Sequence, residues 1–389
     1  MTDTGSVGGD PPTRPRKAPQ RKARPRTTPK KTTTAEQDIS SAPAVSVFEG
    51  LGRAAAPLRV IARFGYYPPR HNAGSEWMSH SMLRALVARG HDVDVWLSRY
   101  SADKEPYDID GVRVIPYAAR LDFGAAAKGS DVIVSHHENV PPAGALARGL
   151  GRPFVVICHN TAPVIFKNVG RGSTALAVYN SLHMQAEAEA YFCEYTKAAR
   201  PEKSIVVRPP VIADDYRTRA GDRVTLVNLN LDKGGEVFWR LAERMPDVKF
   251  LGVRGAYGQQ VERRGGLPNV EVIDHMPGAR MRDEVYARTR ILLVPSANES
   301  WGRVAAEGMA SGIPVVAAPT PGLSECLAEA GIFAERGDLD AWQSAVERLL
   351  EPAAWAEASE RALARSKALD PAADLAAWCE AVEALHRKE

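Results

Sequence analysis

The chain reads as an α/β protein built from two similar doubly wound units with a cleft between them. Three observations predict this. Short apolar runs, such as residues 58–62, 153–158 and 291–294, recur between helical stretches, as buried parallel strands do. Each run gives way to a loop holding Gly, Pro, Asn, Ser or His, and most lead into a helical pattern. Pro209-Pro210 interrupts the alternation midway, and 389 residues suffice for two separate cores.

Composition sets outer bounds. Apolar residues make up 44% and charged residues 25%, as in ordinary globular proteins. No apolar run approaches the ~18 to 20 residues of a membrane span, and no secretory leader is readable. Cys158, Cys193, Cys326 and Cys379 are far apart, so neither a disulfide framework nor a Cys-x-x-Cys metal site is expected. A cytoplasmic setting fits, with peripheral contact at the inner membrane face as an option. The net charge of +3 is misleading. Residues 1–40 hold nine Lys/Arg against four acidic residues, so the remainder is slightly acidic.

In chain order, residues 1–50 are rich in Pro, Thr, Lys and Arg and read as a disordered basic tail. No aromatic residue interleaves its charges before Phe48. That argues for a solubilising arm with weak contact to anionic surfaces and no specific nucleic-acid role. Residues 57–212 form the first domain. Residues 58–62 are its first strand, and the loop after it opens a helix at Ala73-Gly74-Ser75-Glu76. Gly74 lets a ligand approach the backbone there; the bland alternative is a simple turn with Ser75 as a plain helix cap. Asp92-Val93-Asp94 lies inside a strand rather than on a loop, so it is not read as a metal motif. Further strands are expected at 93–97, 112–116, 131–135, 153–158, 175–179 and 204–208. His136 and His137 follow one of these strands and His159 another, so all three share one rim of the sheet. Glu138 is adjacent. Zinc ligands there would come from separated loops without recognisable spacing, and no metal is expected.

Residues 222–370 form the second domain, with strands at 223–228, 248–252, 270–273, 291–294 and 313–317. Lys233, at a strand-to-helix loop before Gly234-Gly235, suits a phosphate. The strand at 291–294 leads into a loop carrying Glu299 and then a helix. Backbone N–H groups of Gly302, Arg303 and Val304 open that helix, and Glu307 lies along it. Anion donors between two carboxylates suit a diphosphate flanked by sugar hydroxyls. Residues 371–389 form a final helix.

The stretch Pro295-Ser296-x-x-Glu299-Ser300-x-Gly302-x-x-x-x-Glu307-Gly308-Met309-Ala310-x-Gly312-x-Pro314-Val315-Val316-Ala317 resembles family 4 of the retaining glycosyltransferases, of the GT-B fold. The match continues through Gly322, Glu325 and Gly331, where the family has a Gly/Glu pattern beside the donor site. It extends over roughly residues 57–370. The resemblance implies transfer of a sugar from a UDP- or GDP-linked nucleotide-sugar donor to an acceptor hydroxyl, with retention. It implies no cofactor beyond that co-substrate, and no metal. Lys233 and the amides at 302–304 would stabilise the diphosphate, Glu299 would orient the sugar and Glu307 would hold the ribose. Val-Ile-Cys-His159-Asn matches the family position of a His facing the reacting centre. The Gly74–Ser75 loop would meet the acceptor, whose pocket His136 and His137 would line. The family usually places an Arg a few residues before this Lys. Here Asn228 stands near that place, so more of the charge would rest on Lys233 and the Gly302 helix start, with Arg254 and Arg303 as the arginines that could compensate. The last helix commonly folds back onto the first domain. The rivals are a sugar-nucleotide epimerase of the same fold and a non-catalytic two-domain sugar-binding protein.

Overall fold

The computed structural model describes residues 46–99, 103–256, 258–263 and 265–386. The first sheet has eight strands: β1 (Arg59–Phe64), β2 (Asp92–Leu97), β3 (Tyr107–Ile109), β4 (Val112–Ile115), β5 (Val132–His136), β6 (Phe154–Ile157), β7 (Leu176–Tyr179) and β8 (Lys203–Val206). They lie in the order β3-β4-β2-β1-β5-β6-β7-β8, with only β3 and β4 antiparallel. The second sheet comprises β9 (Arg223–Val227), β10 (Phe250–Val253), β11 (Val270–Ile273), β12 (Thr289–Val294), β13 (Val315–Ala317) and β14 (Gly331–Phe333). Its order is β11-β10-β9-β12-β13-β14. Helices cover both faces of each sheet, which is why the strands read as unbroken apolar runs. Along β1, Val60 and Ala62 pack to one side with Met82 and Trp378, while Ile61 packs to the other with Ile133 and Val156.

Strand order decides where a ligand can sit. The chain reverses direction across the sheet between β1 and β5, and again between β9 and β12. Helices after such a pair leave to opposite faces, opening a crevice at the strands' carboxyl ends. Four loops line these two crevices: 65–73, 137–139, 228–234 and 295–302. Among the candidate site residues they carry or border all but His159, which follows β6, Arg254 and Glu307.

Two elements differ from expectation. β3 and β14 are three-residue strands too short and too polar or aromatic to announce themselves. The expected tail over residues 1–50 lies outside the described residues up to residue 45, and so does any surface contact it makes. From Ser46 the chain is folded. Phe48 and Leu51 are buried in the first core, and the Arg84 guanidinium stands 4.1 Å over the Phe48 ring. Asp94, in β2, is buried and faces Arg59 at 3.8 Å, a strand position rather than a metal loop. Among the described residues no helix is long and apolar enough to cross a membrane.

The final helix, Ala372–Ala384, belongs to the first core through Leu375, Trp378, Cys379 and Val382. Trp378 Nε1 donates to the Met82 carbonyl at 2.8 Å. Arg89 holds Glu383 through two bonds of 2.6 and 2.9 Å. His91 Nδ1 accepts the Leu58 amide, so its Nε2 carries the proton and donates to Glu383 at 3.1 Å. Burial pushes the Glu383 carboxyl up, but the Arg89 and His91 hydrogen bonds outweigh it and hold it below its ordinary value of 4.5. A carboxyl depressed in the folded state stabilises above its unfolded pKa, and that stability is lost as pH falls through the folded one. Thermal stability is therefore expected to fall as pH drops below about 4.5, with a shallower slope in Glu383→Gln. Melting curves of the two proteins across that range check it; parallel curves would refute the linkage.

Candidate active site

On the second-domain side, the loops after β9 and β12 press together. Gly234 has φ 90°, and a methyl group there would fall 2.3 Å from Pro295 Cγ. Only glycine permits both the backbone angle and the approach. This brings Lys233 against Glu299: their ammonium and carboxylate form a short ion pair, and Ser296 Oγ donates to the same Glu299 oxygen at 3.0 Å. Both side chains keep contact with the cleft, at 27% and 18% exposure, so a ligand can reach them.

Gly302 begins the helix Arg303–Met309 with φ 111°, and no side chain caps it. The residues of that helix start, Gly302, Arg303 and Val304, line the cleft. The Arg303 guanidinium itself does not reach into it as a free cation. It donates to the Pro210 carbonyl at 2.5 Å and to the Tyr216 hydroxyl at 3.1 Å, and its Nε lies 2.8 Å from Glu307. Glu307 is buried in turn, accepting from the Tyr286 hydroxyl at 2.6 Å. The two acids thus differ: Glu299 faces the gap, whereas Glu307 sits in the wall with both oxygens engaged. Arg254 is likewise committed, to Glu262 at 2.9 Å and Asp274 at 2.6 Å. Asn228 adopts φ 74°, which asparagine tolerates, and its Oδ1 accepts the Asn230 amide at 3.3 Å. It shapes the loop that presents Lys233, whose own amide donates to Asn230 Oδ1 at 2.8 Å.

The first-domain wall begins at the helix Gly74–Ala88. Its cap is Ala73, without a side-chain bond. Ser75 Oγ instead donates to Glu76 Oε2 at 2.7 Å, so Ser75 is not the cap. A methyl group on Gly74 would sit 3.9 Å from Arg303 Cδ, which places this helix start across the gap from the other. His136, His137 and His159 converge at the ends of β5 and β6, with His136 Nδ1 and His159 Nε2 2.9 Å apart. Burial drives the His136 and His159 imidazoles far below their usual pKa and lowers His137 too; the neighbouring rings add to this for His136 and His159. All three are neutral at neutral pH.

Contacts across the gap were not foreseen. Ser300 Oγ donates to the His159 carbonyl at 2.8 Å, and Asn180 Nδ2 donates to Ser300 Oγ at 2.7 Å. Glu325, expected beside the donor, accepts the Leu182 and His183 amides, each at 2.9 Å, at the start of the first-domain helix Leu182–Glu194. A carboxylate there complements the helix dipole, and here it comes from the opposite domain. Arg336 was missed as well. It follows the unread β14 and bonds the Pro295 carbonyl at 3.0 Å and the Leu231 carbonyl, so it pins the two donor-side loops together. The cleft encloses about 890 Å³, within the usual range for small-molecule sites.

Two family models match the chain: the glycosyl transferase 4-like domain over residues 73–227 and glycosyl transferases group 1 over residues 232–352. D-inositol 3-phosphate glycosyltransferase of Mycobacteroides abscessus is 34% identical over 129 residues, 30% of this chain and 29% of that protein. Its counterpart from Segniliparus rotundus is 29% identical over 245 residues, 52% of this chain and 54% of that one. The chain spans about half or less of the length of these curated relatives. Among solved structures, HepE of Anabaena in complex with UDP-glucose superposes with a TM-score of 0.70 at 17% identity, covering 84% of this chain and 100% of that one. Sucrose-phosphate synthase from Thermosynechococcus elongatus gives 0.64 at 17% identity, covering 82% and 96%. At such identity these likenesses establish the GT-B fold.

Proposed function

Because the chain belongs to the group 1 glycosyltransferases, whose two family models match it on either side of the linker, we propose that it moves a hexosyl group from a nucleotide sugar to an acceptor hydroxyl with retention. One observation carries this: Lys233 and Glu299 are paired on the carboxyl-end crevice of the second sheet, exposed to the cleft, opposite His159. A cation and a carboxylate that neutralise each other at rest separate to serve a diphosphate and a sugar hydroxyl. Lys233 takes the developing phosphate charge as the glycosidic bond breaks. Glu299, held by Ser296, accepts from the sugar and fixes its orientation. The departing phosphate oxygen takes the acceptor proton on the same face, and no metal takes part. Neutral His159 contacts the sugar near the reacting carbon. Glu307 orders the ribose side through the wall it shares with Arg303.

UDP-glucose is the first donor to test, since HepE binds it on the same fold. The acceptor half presents Glu76 and Glu138, and the guanidinium beside Glu138, Arg99, is already paired with it at 3.0 Å. That wall suits a polyhydroxylated acceptor without a phosphate. In a thermal-shift screen of nucleotide sugars, a UDP-linked donor is expected to raise the melting temperature. A ligand at a hundred times its Kd adds about 2.7 kcal/mol. A flat response to every UDP- and GDP-linked sugar overturns the assignment.

A further inference from the structure

Three imidazoles stand together on the first-domain rim. His136 ends β5, His137 follows it, and His159 lies two residues past β6, the strand paired with β5. Their ring centroids are 4.6, 5.0 and 4.9 Å apart, close to an equilateral triangle. His137 adopts φ 51°, a left-handed angle uncommon outside glycine, and that turn accompanies the packing of its ring against the other two. One ring nitrogen from each residue lies within 4.8 Å of the others.

We propose that His136, His137 and His159 form a three-histidine site for a divalent transition-metal ion of the zinc type. Zinc–nitrogen bonds of about 2.0–2.1 Å in tetrahedral geometry set nitrogens ~3.3 Å apart. His136 Nδ1 and His159 Nε2 stand 2.9 Å apart, slightly inside that value, and a His137 nitrogen lies within 4.8 Å of the others, so ring adjustments close the three onto an ion. Nitrogen-only donors exclude magnesium and calcium as the preferred ion. Burial keeps the rings neutral, which is the form that binds metal. His137 and His159 line the cleft, so the fourth position opens there and takes water or an exchangeable ligand. An ion there also occupies His159, the side chain assigned to the sugar. The site is therefore a brake on a reaction that runs without metal; that consequence rests on the transferase assignment, whereas the binding does not.

Cobalt(II) added to the untagged, metal-free full chain reads out coordination without any donor sugar. The expected result is one bound equivalent with the intense visible bands of a tetrahedral site, displaced by zinc. His136→Asn and His137→Asn should each weaken binding at least tenfold. The pale spectrum of aqueous cobalt, thiolate charge-transfer bands from a cysteine site, or unchanged affinity in both variants would each overturn the proposal. The wild-type spectrum decides the matter even where a variant fails to fold. The pale spectrum would mean that the rings merely share a hydrogen bond, with Ser79 Oγ 3.4 Å from both His136 Nδ1 and His159 Nε2.

Discussion

Lys233→Ala and Glu299→Ala each lower transfer about 10²–10³-fold, the loss that follows removal of one preorganised charge partner from a reacting centre. The two side chains form one ion-paired unit, so the effects are not additive. Removing Lys233 leaves Glu299 with Ser296 as its remaining partner and no cation for the diphosphate. Removing Glu299 frees Lys233 but leaves the sugar hydroxyls without their acceptor. The double variant should therefore lose little more than either single one. The fold should hold, because both groups are partly solvated and exposed pairs contribute little to stability. Steady-state kcat/KM with a donor first shown to bind, beside melting temperatures of the same proteins, supplies the check. Near-wild-type transfer by either single variant would remove the assignment.

Arg303→Ala acts on stability instead. Its guanidinium and the Glu307 carboxylate are 10% and 8% exposed, and the charge is shared with the Pro210 carbonyl and the Tyr216 hydroxyl. Deleting one member of a buried pair strands the other, at a typical loss of 3–5 kcal/mol. Cleft water can reach Glu307, so a value near 3 kcal/mol is expected. Arg303→Met with Glu307→Gln should cost less than the single losses combined, because no charge is left unpaired, with a coupling of about 1 kcal/mol or more. Urea unfolding of Arg303→Ala, and of the wild type beside Arg303→Met, Glu307→Gln and their combination, measures both numbers. A single-variant loss below about 1 kcal/mol would show that the pair is effectively solvated.

The α/β class, the two domains and most strands could be read from the chain because both-face burial leaves apolar runs in the sequence. The loops carrying Lys233 and Glu299 were legible for the same reason, since they follow strands whose ends were clear. Side-chain direction was not. Nothing local tells that Glu307 is enclosed by Tyr286 or that Arg303 reaches back to Pro210; both contacts span an unpredicted packing arrangement. The three histidines were read as sharing a rim, but their convergence needs the β5–β6 pairing and the left-handed turn at His137. Glu325 was visible as a motif residue, yet its helix-capping role requires the other domain to be in place.

The chain passes between the lobes twice, once beyond Pro209-Pro210 and again between the helices Pro352–Ala368 and Ala372–Ala384. Arg208 clasps Asp374 at 2.8 Å and so ties the two passages together. Two bodies joined by neighbouring tethers retain essentially one rotational degree of freedom about the line through them. Such neighbouring tethers favour swinging, like covers on a spine, over sliding or twisting, which keeps the facing edges of the lobes aligned.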